Sequence, residues 1–189
     1  MASKPQICNM ALSRLGASTI TSLTDATTEA KLCNTLFDDL ADRVMIQGSW
    51  ATTIKREELA RTVETPEFGF TYAFQLPTSP KCLKVLNVNT SVPGDIEYKI
   101  EGDKLLTDES SIKIRYIGRL EDTEDYGTLL TEAVEILLAS YLAMSITGDS
   151  RLAARLREEY QAIISLNLAI DGQQGSKGDV VANDLTVVR

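Results

Sequence analysis

The sequence predicts an α+β protein, a four-helix bundle with an inserted antiparallel β meander and a flexible C-terminal tail. Two periodicities predict this class. Apolar residues alternate with polar ones within the middle of the chain, residues 50–117, as in strands with one solvent-facing side. Apolar residues recur at helical spacing in four segments, residues 4–15, 28–47, 128–147 and 151–170. The 189-residue chain has the length of one domain, which we assign to residues 1–171, with a tail at 172–189.

The first two helices carry boundary signals. Ser3 is a good N-cap for the first helix, Pro5 suits its first turn, and Gly16 ends it. Gly48 is a natural stop for the second helix. Trp50, the single tryptophan, follows closely, and we interpret it as an anchor between this helix and the β region.

The β region is recognised by strict alternation. Gly102 and Asp103 suit a two-residue hairpin turn between two of the alternating runs. We therefore expect an antiparallel meander of about five strands. The apolar members of the runs are Phe70, Tyr72, Phe74, Ile96, Tyr98, Ile100, Ile112, Ile114 and Tyr116.

The third helix is apolar on nearly every side, with Leu138 and Leu142 at its centre. Such a helix must be buried on every side. Two interpretations stay open at this point: neighbouring copies of the chain cover part of it, or it is fully internal. Its apolar segment, residues 133–146, is shorter than the roughly 20 residues of a bilayer span, so we predict no membrane contact.

The last helix and the tail have different characters. The turn at Gly148, Asp149 and Ser150 contains its own helix cap and makes the last two helices an antiparallel hairpin. Residues 172–178 are rich in glycine, and VVANDLTVVR follows. We interpret the tail as a docking segment that orders on a partner, with Leu185, Val187 and Val188 as its contact residues, and a frayed terminus as the alternative.

Composition excludes several classes of protein. The net charge is −8, from 27 acids and 19 bases, which disfavours general nucleic-acid binding. The absence of histidine removes the commonest general base and metal ligand. We interpret Cys8, Cys33 and Cys82 as small hydrophobic residues rather than redox or metal groups.

The motifs that suggest chemistry are weak, so we predict no catalytic residue, cofactor or metal. The segment GQQGSKG lacks the spacing and the context of a phosphate loop. The acidic run Glu121, Asp122, Glu124 and Asp125 lacks the pattern of a calcium loop, and we expect a solvated loop before the third helix. Glycoside hydrolysis needs two carboxylates flanking a cleft. Candidates for it are Glu57, Glu58, Glu97 and Glu101.

The order of several short motifs resembles the phage tail tubular protein A family, the head-to-tail adaptors of short-tailed bacteriophages. The resemblance covers about Ile7 to Ile170, and only the short Ala51-Thr52 stretch after Trp50 and the unmatched tail depart from it. The matching features are LxxLG at the end of the first helix, I-x-S-L at Ile20–Leu23, T-E-A at Thr28–Ala30, Trp50, Arg56 and Leu59, YAFQLP followed by CLKVLNV, YKIEGDKLLTD, and IKIRYIGR before an acidic loop and a helix hairpin.

The resemblance implies a non-enzymatic virion protein, made in the host cytoplasm, that forms a ring of about twelve copies. The ring would sit at the head–tail junction between the portal protein and the tail nozzle protein, and genomic DNA would pass through it without specific binding. Our candidates for its assembly interface are Trp50, Leu138, Leu142, Leu185, Val187 and Val188. Alternatives are a connector or head-completion protein of a long-tailed phage, a virion-associated cell-wall or polysaccharide hydrolase, and a cytosolic regulatory helical domain.

Overall fold

The computed structural model describes residues 2–48, 50–88 and 96–174, and side chains as far as residue 170. The described chain is mixed α+β, as predicted, with helices in both terminal parts and strands between them. The helices are α1 (Lys4–Arg14), α2 (Thr28–Gln47), α3 (Thr128–Ile146) and α4 (Ser150–Gln174). The strands are β1 (Ile54–Glu58), β2 (Tyr72–Gln75), β3 (Cys82–Val88), β4 (Tyr98–Glu101), β5 (Lys104–Thr107) and β6 (Lys113–Gly118).

Local capping explains where the helices begin. Ser3 and Gln6 form a capping box, in which the Gln6 amide donates to Ser3 Oγ and the Ser3 amide donates to Gln6 Oε1. Asp149 Oδ1 caps α4 by accepting from the amides of Arg151 and Leu152, at 2.9 and 3.0 Å. The boundaries predicted from cap and stop residues are confirmed to within one residue for the first three helices.

The C-terminal boundary of α4 differs from the prediction. The helix continues to Gln174, so the first residues of the predicted tail are helical. Gly172 does not end the helix, because one glycine inside a helix costs only about 1 kcal/mol relative to alanine. Residues 175–189, with the rest of the predicted docking tail, lie outside the described residues.

The helices are organised around α3, which contacts α1, α2 and α4. This arrangement is not the four-helix bundle that we predicted, because α3 is itself the core instead of contributing one apolar stripe. By length and composition α3 could cross a bilayer, but most of its apolar window is buried inside the chain, as in a core helix. One copy of the chain therefore covers the middle of α3, residues 133–140, so neighbouring copies are not needed there. Near the end of the helix, Met144 is 52% exposed.

Two cysteines lie inside this helical layer, as predicted for small hydrophobic residues. Cys8 on α1 and Cys33 on α2 are both fully buried. The hydrogen bond between the two thiols and their burial raise the pKa of Cys8. The same hydrogen bond lowers the pKa of Cys33. Both side chains pack in the core as small hydrophobic groups, while Cys82 on β3 is half-buried.

The strands form two antiparallel sheets, and the prediction of a single meander is wrong. We call β1-β6-β3 the inner sheet and β2-β5-β4 the outer sheet. Only β4 and β5 are neighbours both in sequence and in space. The inner sheet has two apolar faces, because Ile117 packs with the helices while Tyr116 packs with the outer sheet. The core between the sheets comprises Leu59, Phe74, Leu76, Val88, Leu105, Ile112, Ile114 and Tyr116.

Candidate functional site

Trp50 joins the helical layer to the inner sheet. Its indole Nε1 donates to the Val44 carbonyl at 2.8 Å and so satisfies an acceptor at the end of α2. Its own carbonyl accepts from the Thr53 amide at 2.9 Å and from Thr53 Oγ1 at 2.8 Å. The ring lies directly over Gly48, where a Cβ atom would come within 2.3 Å of it. The interpretation of Trp50 as an anchor between helix and sheet is confirmed.

The three interface candidates inside the described chain are core residues of one copy. Trp50 is 4% exposed, and Leu138 and Leu142 are fully buried. They present no surface to a neighbour in this conformation, because other parts of the same chain already cover them. The remaining candidates Leu185, Val187 and Val188 lie outside the described residues.

A charged cluster links three helices, and the sequence prediction missed it. Arg14 on α1 donates from Nε to Glu135 on α3 at 2.5 Å and from a terminal nitrogen to Glu159 on α4 at 2.7 Å. Glu135 is almost fully buried in the middle of the apolar helix. Glu159 thus forms an ion pair with a residue 145 positions away in the chain. The sequence signal for this cluster was Glu135, an acid within an apolar helical segment, because a buried carboxylate needs a cation or hydrogen-bond donor beside it.

A charged surface lies where α2 meets the loop before α3. Arg119 Nε is 2.9 Å from Asp42 Oδ1, and the guanidinium is 3.9 Å from both Asp38 and Glu121. Burial raises the pKa of Asp42 against the effect of Arg119. Burial and the carboxylates of Asp38 and Asp42 raise the pKa of Tyr126 beside them. Three acids thus share Arg119, while Asp38 also pairs with Lys4 at 2.8 Å and Lys81 acts on Asp42. This surface therefore carries charges of both signs.

The acidic run before α3 is solvated, as expected. Glu121, Asp122, Glu124 and Asp125 are exposed, and Thr123–Asp125 form a short 3-10 turn that leads to α3. Within the described residues, no group of three or more Cys, Asp or Glu side chains is placed to hold a metal ion.

The carboxylates considered for glycoside hydrolysis are on edge strands of different sheets. Glu57 and Glu58 lie on β1 of the inner sheet, and Glu101 lies on β4 of the outer sheet. Glu57 accepts from the Tyr116 hydroxyl at 3.0 Å, and Glu101 pairs with Lys99 at 2.8 Å. These positions do not form the facing pair of acids that glycoside hydrolysis requires.

Large apolar side chains are exposed on several elements, among them Met10, Ile46 and Met144 on the first three helices. On the last turns of α4, Leu166 and Leu168 are 51% and 50% exposed. Ala162 and Ala169 are exposed on the same side of the helix as Leu166, whereas Leu168, two residues further on, lies toward another side. We call these four residues the α4 surface. A second exposed set lies on and around the outer sheet and comprises Val63, Phe68, Tyr98 and Ile100.

A comparison with protein-family models gives no match for this chain, and a comparison with curated proteins gives no significant match.

Proposed function

We propose that this chain is a structural virion subunit, a head-to-tail adaptor that forms a ring between the portal and the tail nozzle and surrounds the DNA channel. The ordered resemblance over Ile7 to Ile170 carries the proposal. The matching residues whose contacts are known shape the chain: Trp50 caps α2, and Gly102 makes the β4–β5 turn with φ of +61°. A resemblance built on such residues concerns shape, which is what an assembly subunit uses.

The α4 surface supports self-association. Leu166 and Leu168 are half exposed in one copy, whereas the apolar face of α4 nearer its start is buried on α3. Exposed large apolar residues near one end of a helix can serve as a protein–protein contact. In a ring, each copy would place this end of α4 against a different surface of the next copy, which is a heterologous contact.

The charge of the chain supports a channel that DNA crosses without sticking. The net charge is −8, and the acidic run Glu121, Asp122, Glu124 and Asp125 before α3 is exposed. Phosphate binding needs clustered cations, so a surface of this sign repels the DNA backbone weakly over a Debye length. A connector of a long-tailed phage would share this property, and a tail-tube gene near this one would favour that alternative.

The test is the oligomeric state with and without the portal. We expect sedimentation velocity and negative-stain images to show closed rings, either for the free protein or on addition of the portal protein of the same phage. Leu166→Glu with Leu168→Glu should abolish the rings and leave the far-ultraviolet circular dichroism unchanged. Val63→Glu, at a fully exposed residue far from α4 in sequence, is the control and should form rings normally.

Two results would contradict the proposal. One is a monomer at all concentrations, with and without the portal. The other is cleavage of purified peptidoglycan or polysaccharide by the wild-type chain, which would favour the hydrolase alternative.

A further inference from the structure

The two edges of the outer sheet differ. At the β2 edge, the Thr62 amide donates to the Ala73 carbonyl at 2.9 Å, and the Gln75 amide donates to the Ala60 carbonyl at 3.1 Å. The segment after β1 therefore closes that edge. At the other edge, β5 is the one strand paired with β4 among the described residues. The outer edge of β4 thus offers backbone groups to a further strand.

The row of apolar side chains that forms the buried face of the outer sheet continues onto β4, but its member on β4 is partly exposed. Phe74, Leu105 and Ile100 occupy one row across the three strands and share a face. Phe74 and Leu105 are buried against the inner sheet, whereas Ile100 is 42% exposed. Tyr98 lies on the same face, two residues away, and is 39% exposed. A strand added beside β4 with apolar residues two apart would continue this row.

The charges on β4 give it little protection against such pairing. Lys99 and Glu101 lie on the opposite face and neutralise each other at 2.8 Å. Edge strands are usually protected by unpaired charge or by proline. The edge strand of the inner sheet shows the contrast, because its last four residues are all charged: Lys55, Arg56, Glu57 and Glu58.

We propose that residues 180–188 of a neighbouring copy add as a strand to the outer edge of β4. This inference rests on the proposed function, because a ring supplies the neighbouring copy. Leu185 and Val187 are two residues apart, so both would face the side of Tyr98 and Ile100. Asp184, at the alternate position, would then lie on the side of Lys99 and Glu101 and could pair with Lys99. Main-chain bonds to β4 would supply the affinity of this contact.

The length of the chain after α4 allows this contact. Residues 175–189 follow the last described residue, Gln174, and span at most about 50 Å when extended. Gly175 and Gly178 permit the wide range of backbone conformations that a link of this kind needs. A span of this length would let the segment extend beyond its own subunit toward the β4 edge of the next.

The experiment compares amide hydrogen exchange of β4 in the full chain and in a chain that ends at Gly178. Each is measured as a dilute monomer and in rings, with the portal added if rings need it. We expect β4 amides to exchange at least tenfold more slowly in full-length rings than in the monomer. Leu185→Asp with Val187→Asp should remove this protection, and Ser176→Asp, the control outside the proposed strand, should keep it.

The possible outcomes separate the two proposals. Full-length rings in which β4 exchanges as fast as in the monomer, or rings of the truncated chain in which β4 is still protected, would overturn this inference and leave the adaptor proposal standing. Equal protection of β4 in the full-length monomer would show that the segment binds within its own copy, which also overturns it. A failure of both chains to form rings under any condition would overturn both proposals.

Discussion

Replacing Arg14 by methionine tests how the three helices around α3 are held together. The substitution keeps most of the aliphatic stem and removes the guanidinium that bridges Glu135 and Glu159. Glu135 then remains inside the helical layer as a carboxylate without its cation. We expect a large loss of stability, because a buried charge that loses its partner has neither water nor a counter-charge to stabilise it.

The magnitude follows from the exposure of each group. Removing one partner of a buried ion pair costs about 3–5 kcal/mol. The Glu135 side chain is 7% exposed, but Arg14 is 30% exposed, so water reaches the vacated site and the lower end of this range applies. The contact with Glu159, whose side chain is 42% exposed, adds at most about 1 kcal/mol. We expect a loss of about 3 kcal/mol, or a melting temperature lower by about 6–12 °C.

Urea unfolding followed by circular dichroism at pH 7 measures this loss, and two further variants make the result specific. Arg14→Met combined with Glu135→Met removes both charges and should recover most of the stability. Lys4→Met breaks the exposed pair with Asp38 and should cost at most about 1 kcal/mol. The reasoning would be refuted by an Arg14→Met loss no larger than that of Lys4→Met, or by a double variant no more stable than the single one.

Two further predictions concern the helix–sheet junction and buried tyrosines. Gly48→Ala places a Cβ atom 2.3 Å from the Trp50 ring, so it should lower the free energy of unfolding by about 1–3 kcal/mol and shift the tryptophan fluorescence to the red. The control Gly127→Ala places its Cβ atom in open space, so it should lower the free energy of unfolding by less than about 1 kcal/mol and leave the fluorescence unchanged. Burial raises the pKa of Tyr116 and of Tyr160 to about 12, from near 10 when unfolded, so the folded state holds more protons between these values. The free energy of unfolding should therefore fall as the pH rises from 10 to 12, and a flat profile in urea titrations, or one unchanged in Tyr160→Phe, would contradict this.

The enclosure of α3 changes where contacts between copies are to be sought. An apolar helix with no polar face suggested that neighbouring copies supply part of its cover. The structure places α1, α2 and α4 around it, so Leu138 and Leu142 stabilise one subunit. Contacts between copies must use residues that remain exposed, and the α4 surface and the β4 edge are two places where apolar residues do so. Variants at these places therefore test assembly without removing core residues.

Predictions from local signals agree well with the structure. Some roles involve only residues nearby in the chain, and these can be predicted from the sequence. They include the helix caps made by Ser3 and Asp149 and the hydrogen bond from Trp50 to the Val44 carbonyl, six residues earlier. The buried face of α4 was also predicted correctly, because helical spacing places Leu156 and Tyr160 on one side. Predictions that needed partners far along the chain agree less well.

By itself the sequence determined the class of this protein: helices at both ends, alternating strands between them, and boundaries set by caps and turns. Only the tertiary structure decided that α3 is enclosed by its own chain, that the strands divide into two sheets, and that Arg14 meets Glu135. The physical reason is that periodicity shows which side of an element is apolar and not what covers it. That cover comes from residues more than a hundred positions away, as between Arg14 and Glu135, and their approach depends on how all the elements pack together.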